Sequence, residues 1–276
     1  MTHVTSLVAA RRDRPEVRMP SPEGLRVAGV TVRFGGVTAV DGAGLTAPPG
    51  TVTGLVGPEG AGKSTLCDVI AGRRRPAEGT VHLDGEDLTG SAARTRARHG
   101  IVGAFQRPAA RMAAPFGTVP VPFGGPTVRD RVQAAARRHD AACGRWPRRR
   151  DTDAGRRAEE ILARVGIAEY GDRCTRDLPP AVTALTQLAR ALAAEPAVLL
   201  LDEAWTCLPV RRSRALEVLL RDLAAEGLAV LVVCGTLEPV MGVCDILHVL
   251  DAGKVIAAGP PAEVRADRRV RDVCPA

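Results

Sequence analysis

One run of residues carries the strongest chemical signal in this sequence: Gly57-Pro58-Glu59-Gly60-Ala61-Gly62-Lys63-Ser64-Thr65. It fits the pattern G-x-x-x-x-G-K-[ST], and each residue type in that pattern has a physical reason. Glycines let the backbone curl so that successive N–H groups turn inward on an anion. A helix starting at the lysine adds unpaired N–H donors and the positive end of its dipole. The Lys63 ammonium can reach the outer phosphates of a nucleoside triphosphate, and the Ser64 hydroxyl can ligate Mg²⁺. The setting agrees: Val52–Val56 is a short apolar strand before the loop, and a helix is expected from Lys63 to about Ala71. Gly57 through Thr65 is therefore the expected nucleotide-binding set for ATP with Mg²⁺.

A second constellation lies far downstream, at Val198-Leu199-Leu200-Leu201-Asp202-Glu203. An apolar strand ending in two carboxylates puts them where a parallel α/β sheet keeps its ligands, at the carboxyl edge. Asp202 is expected to hold Mg²⁺, directly or through water. Glu203 is expected to polarise the attacking water.

These groups need a scaffold, and the rest of the chain supplies one. Leu25–Phe34 alternates like a strand, and Gly35-Gly36 turns the chain. Thr80–Leu83, Ile101–Phe105, Ala197–Leu201, Ala229–Val233, Ile246–Leu250 and Lys254–Ala258 read as further strands. Residues 127–138 and 154–165 are polar and helix-forming, with a surface loop at 144–150. Thr183–Ala194 reads as a helix. Ser213–Ala225 places Leu216, Leu219, Leu220 and Leu223 at helical spacing and stops at Gly227. Strands alternating with helices predict an α/β domain around a mainly parallel sheet. Residues 107–126, rich in proline and paired glycine, are expected to be irregular.

Length and composition bound the rest. The chain has 276 residues and is 45% hydrophobic, enough for one sizeable core. No apolar run has the length of a membrane span. Residues 1–24 read as a disordered extension without the apolar core of a signal peptide. The seven cysteines form no CxxC pair and are odd in number, which argues against a disulfide framework or a zinc site. The net charge of +7 invites a nucleic-acid reading, but aromatic content is 3% and the arginine runs form no single stripe. No nucleic-acid partner is expected. Lys63 and Lys254 are the only lysines among 38 basic residues. In such a chain Lys63 marks a place that needs a compact point charge.

Taken with these motifs, the sequence resembles the ATP-binding subunit of an ABC transporter over about residues 25–270, most closely the branched-chain amino acid importer ATPases. The likeness is carried by Arg33-Phe34-Gly35-Gly36-Val37-Thr38-Ala39-Val40-Asp41, by Gly100-Ile101 leading to Phe105-Gln106, by Thr127-Val128-Arg129-Asp130-Arg131-Val132, and by Gly259-Pro260-Pro261-Ala262-Glu263-Val264-Arg265-Ala266-Asp267. It implies a P-loop cassette with an antiparallel β edge and a helical subdomain at about 107–182, followed by a tail at 271–276. It implies that Phe34 stacks on adenine; read from the residues alone, Phe34 is equally a strand-end core residue. It implies that Gln106 senses Mg²⁺ and the attacking water, as both a catalytic and a metal-site residue. The implied partners are membrane permease subunits and a second ATP-binding subunit, identical or different. They would hold the chain at the cytoplasmic face of the plasma membrane.

The sequence also departs from that family. The slot of the LSGGQ signature is Leu178-Pro179-Pro180-Ala181-Val182, with two residues that have no N–H. Pro209 stands where the dimer-contact loop would end in Asp or Asn, and Gly235 stands where the switch histidine is expected. Glu59 replaces a small polar residue inside the P-loop, where it must point outward. The 107–126 stretch is longer than that subfamily's link. Groups that hold nucleotide on this chain are present, while those offered across a dimer are altered. The expectation is ATP binding with weak hydrolysis. The alternative is a regulatory cassette that binds nucleotide without turnover.

Overall fold

The computed structural model describes residues 24–105, 125–142, 150–203 and 208–274. The expectations for residues 1–23, for Gln106, for most of the 107–126 stretch and for residues 144–149 of the 144–150 loop lie outside these residues, and the loop's last residue, Arg150, begins a helix instead. Two sheets build the domain. The larger has the order β10-β9-β3-β8-β7-β6, with β3 (Val52–Val56), β6 (Ile101–Phe105), β7 (Val198–Asp202), β8 (Ala229–Cys234), β9 (Ile246–Asp251) and β10 (Lys254–Gly259). All its neighbours pair in parallel except β10, which runs antiparallel to β9. The smaller sheet is antiparallel, in the order β2-β1-β4-β5: β1 (Leu25–Phe34), β2 (Val37–Ala47), β4 (Glu78–Leu83) and β5 (Glu86–Asp87).

The parallel strands are apolar at most positions because both faces of their sheet are covered; Thr53, Asp202, His248 and Asp251 are the polar exceptions. Val198, Leu200, Leu231, Val233 and Leu55 point into one core, shared with the small sheet and with α1 (Lys63–Ile70). Leu199, Leu201, Val230 and Val232 point into the other. The helices on that side are α3 (Val128–Ala142), α4 (Arg150–Val165), α5 (Pro180–Leu192) and α6 (Val210–Ala225), with the short helices α7 (Glu238–Met241), α8 (Pro261–Ala266) and α9 (Arg268–Val273). Arg157 of α4 pairs with Asp140 of α3 and with Glu195 in the turn before β7, tying the helical layer to the sheet.

Several sequence boundaries need correction. The helix placed at Thr183 begins at Pro180, and the one placed at Ser213 begins at Val210. In both, proline sits at the cap or first position, where a missing N–H does no harm. Strand β2 and α2 (Ala93–His99) were not expected at all. Arg96 of α2 is 0% exposed, unusual for an arginine.

Candidate functional site

The glycine-rich loop joins the carboxyl end of β3 to the first turn of α1, at the centre of the parallel sheet. Two of its glycines are required by close approach. Gly57 has φ +153°, and a Cβ there would stand 1.9 Å from the Leu250 carbonyl oxygen. Gly62 caps α1 with φ +102°, and a Cβ there would stand 2.4 Å from the Ala39 carbonyl oxygen. The loop is braced from outside as well: the Gly253 N–H donates to Ala61 O at 3.0 Å, and the Asp41 N–H donates to Gly253 O at 2.8 Å. Segments from β2 and the β9–β10 turn therefore fix its shape.

Lys63 is only 7% exposed, so its ammonium must be satisfied within the loop. It donates to Gly57 O at 2.6 Å and Pro58 O at 2.7 Å. That places a positive charge inside the curl, with loop N–H groups and the start of α1 around it. Ser64 is exposed beside it and Thr65 half-buried; Glu59 is exposed, consistent with a carboxylate directed away from the curl.

Asp202 ends β7, with β8 between it and β3, so it lies at the same carboxyl edge. Its Oδ1 is buried with no hydrogen-bond donor among the described residues. Burial, then the neighbouring Glu203 and Asp68, push its carboxyl up to about 6. Cys67 of α1 lies near enough that burial and the Asp202 charge hold its thiol neutral. A buried oxygen that accepts only and has no donor suits a cation or cation-bound water. With the Ser64 hydroxyl, Asp202 is a fit donor set for Mg²⁺. Glu203 follows with φ +52°, a left-handed conformation uncommon for a residue with a Cβ. Its N–H donates to Val233 O at 3.0 Å, and its side chain is exposed at the sheet edge.

The Asp202 environment has a measurable consequence. A carboxyl raised above its unfolded value of 3.8 stabilises the fold fully below that pH and loses the contribution as pH rises through about 6. At pH 7.5 Asp202→Asn should therefore stabilise the nucleotide-free protein by ~1–2 kcal/mol, after discounting for partial exposure. The gain should vanish near pH 4. Urea denaturation at the two pH values checks it; equal midpoints at pH 7.5 would contradict the strained carboxylate.

The remaining sequence-selected residues divide. Phe34 is 43% exposed, so the strand-end core alternative is wrong for it; the Arg74 guanidinium lies 4.1 Å from its ring centroid. Gln106 lies outside the described residues. Pro179 caps α5 and Pro180 is its first residue, while Thr183 N–H makes the first turn bond to Pro179 O at 2.9 Å. Only Ala181 and Val182 are left to offer N–H groups at that helix start. Gly235 follows β8 directly. Among the described histidines, His82 lies in β4 beside Asp87 of β5, His99 faces Glu86, His139 faces Glu195 and His248 is buried in β9. Sequence reasoning missed the brace from Ala39, Asp41 and Gly253, for which the local sequence offers only an ordinary turn signal.

The comparisons with known proteins agree with this geometry. A family model described as ABC transporter matches residues 40–206. The chain is 30% identical over 262 residues to the methionine import ATP-binding protein MetN of Rhizobium etli, covering 93% of this chain and 66% of that one. It is 30% identical to the high-affinity branched-chain amino acid transport ATP-binding protein BraF of Pseudomonas aeruginosa, covering 87% of this chain and 93% of that one. It is 32% identical to the daunorubicin resistance ATP-binding protein DrrA3 of Streptomyces coeruleorubidus, covering 88% and 70%. The chain spans less than two thirds of the length of two methionine-import relatives, at 66% and 61%. A solved nucleotide-free ATP-binding cassette from an ABC transporter superposes with a TM-score of 0.74 at 25% identity, over 90% of this chain and 97% of that one.

Proposed function

The chain belongs to the ABC transporter family, and on that premise we propose that it is the ATP-binding subunit of an importer, driving a membrane permease by binding and slowly hydrolysing ATP. The observation that carries the binding half is the loop itself: Lys63 Nζ held 2.6 and 2.7 Å from two loop carbonyls, at the sheet edge that also carries Asp202 Oδ1, which has no donor among the described residues. The roles follow from position. The loop N–H groups and Lys63 bind the phosphates, Ser64 and Asp202 hold Mg²⁺, Phe34 offers an exposed ring to the base, and Glu203 orients the attacking water. Bound Mg²⁺ would neutralise charge on the outer phosphates. Gln106 is retained in this reading as the residue that senses Mg²⁺ and the attacking water.

Branched-chain amino acids or similar small polar solutes are the proposed cargo, since one relative named above is a branched-chain amino acid transport protein and another a methionine import protein. No described helix is long and apolar enough to cross a membrane. Attachment to the cytoplasmic face would then come through the permease. Helices α3 and α4 lie in the proposed helical subdomain at about 107–182, facing that partner.

Slow turnover rests on the α5 start and on Gly235. A second subunit reaching for N–H groups at α5 would meet two prolines, and the slot for a transition-state histidine holds no side chain. Losing a positioned charge-stabilising group lowers rates on the order of 10²–10⁴-fold. The purified chain should bind Mg·ATP yet hydrolyse it slowly, and pairing with an intact cassette should raise the rate. Brisk turnover by the chain alone, abolished in Glu203→Gln, would sink the impaired-site reading. The same two features favour one second reading, a regulatory cassette without turnover. Co-purification separates them: a polytopic membrane protein supports the importer, a soluble partner alone the regulator.

A further inference from the structure

The fully buried guanidinium of Arg96 has no role in the site as described so far. All of its hydrogen bonds go to main-chain carbonyls. Nη1 donates to Val69 O at 2.6 Å and Ile70 O at 2.9 Å, Nη2 to Thr89 O at 2.9 Å, and Nε to Ser91 O at 3.2 Å. Room for it is kept by Gly72, where a Cβ would meet the Arg96 side chain at 2.9 Å. None of the acceptors is a carboxylate. Asp87, the acid that acts on it electrostatically, is turned to Thr89, with bonds of 2.8 and 2.5 Å.

A buried cation without an acid partner is unfavourable, so its location matters. Val69 and Ile70 are the last residues of α1, and their carbonyls form the negative end of that helix. The other end of α1 is the phosphate loop, about 12 Å away for an eight-residue helix. The α1 residues turned to the core, Leu66, Val69 and Ile70, are all 0% exposed, so little water screens that side of the helix.

We propose that Arg96 is a positioning residue for the phosphate site: it locks the rear of α1 and cancels the negative end of the helix, leaving the positive end less opposed at the loop. This rests on the nucleotide-binding reading above.

The test uses the full chain and three probes, Mg·ATP, Mg·ADP and AMP, with affinities measured by calorimetry at a temperature where each variant is folded. Arg96→Met should weaken Mg·ATP about tenfold, Mg·ADP less and AMP scarcely, because a charge effect grows with ligand charge. Arg96→Lys, which keeps the charge, should hold Mg·ATP within about threefold of wild type. A lowered melting temperature with unchanged affinities, or an equal loss for all three nucleotides, overturns the proposal. Should Arg96→Met not fold, Arg96→Lys decides. Burial lowers a lysine pKa, so raising the pH from about 7 to about 9.5 should reduce its ATP-to-AMP affinity ratio and leave that of wild type unchanged. A ratio that stays flat in the lysine variant overturns the proposal. A wild type that binds none of the three overturns the nucleotide reading, and this one with it.

Discussion

Replacing Lys63 by alanine should raise the dissociation constant for Mg·ATP by about 100-fold or more. The ammonium is 7% exposed and inside the loop curl, so its attraction to phosphate is weakly screened. Two carbonyls, Gly57 O and Pro58 O, hold it there at 2.6 and 2.7 Å. Lys63→Arg keeps the charge yet should bind almost as poorly, because a planar fork cannot fit where a point charge sits between two carbonyls. Fluorescent-nucleotide titration checks both variants. Affinity within threefold of wild type in Lys63→Ala would mean that nucleotide, if bound, is held elsewhere.

The second large effect is on folding. Gly57→Ala puts a Cβ 1.9 Å from Leu250 O, a backbone atom of a central strand that cannot swing aside. Together with the left-handed φ, the substitution should cost on the order of 3–5 kcal/mol. In a domain of this size that lowers Tm by roughly 10 °C or more. Gly60→Ala is the matched control. Its φ of +80° is also unfavourable, but nothing lies within 4 Å of the new Cβ, so only about 1 kcal/mol is expected. Thermal melts of the pair separate close approach from backbone preference. Equal shifts would show that Leu250 yields.

What could be read from the sequence follows the physics of each element. The buried parallel strands were legible because both faces are covered, which makes them apolar runs of strand length. Strand β2 was not. Its buried residues are Val40, Ala43, Leu45 and Ala47, and the step from Val40 to Ala43 breaks the alternation where the β1–β2 register shifts. Helix α2 was missed for a related reason: its one buried residue is Arg96, so no apolar stripe betrays it. The starts of α5 and α6 were read three residues late because proline signals a break as readily as a first turn. At the site, the loop and the two carboxylates were legible as local patterns. The lysine's carbonyl acceptors and the burial of Asp202 Oδ1 depend on residues brought together only by the fold.

The brace around the loop bears on when the site can exist. Ala61 is tied to Gly253, and β3 pairs with β8 and β9, which begin at Ala229 and Ile246. Well over half the polypeptide thus lies between the loop and the strands that flank it. On a ribosome, residues 57–65 emerge early but have no lateral neighbours until β8 and β9 follow. At about 5–20 residues per second, that is a wait on the order of 10–40 s. During it the nascent segment is an apolar strand with bare edges, the kind of surface that chaperones shield. Nucleotide cannot help nucleate this domain; it can only arrive after the last strands close.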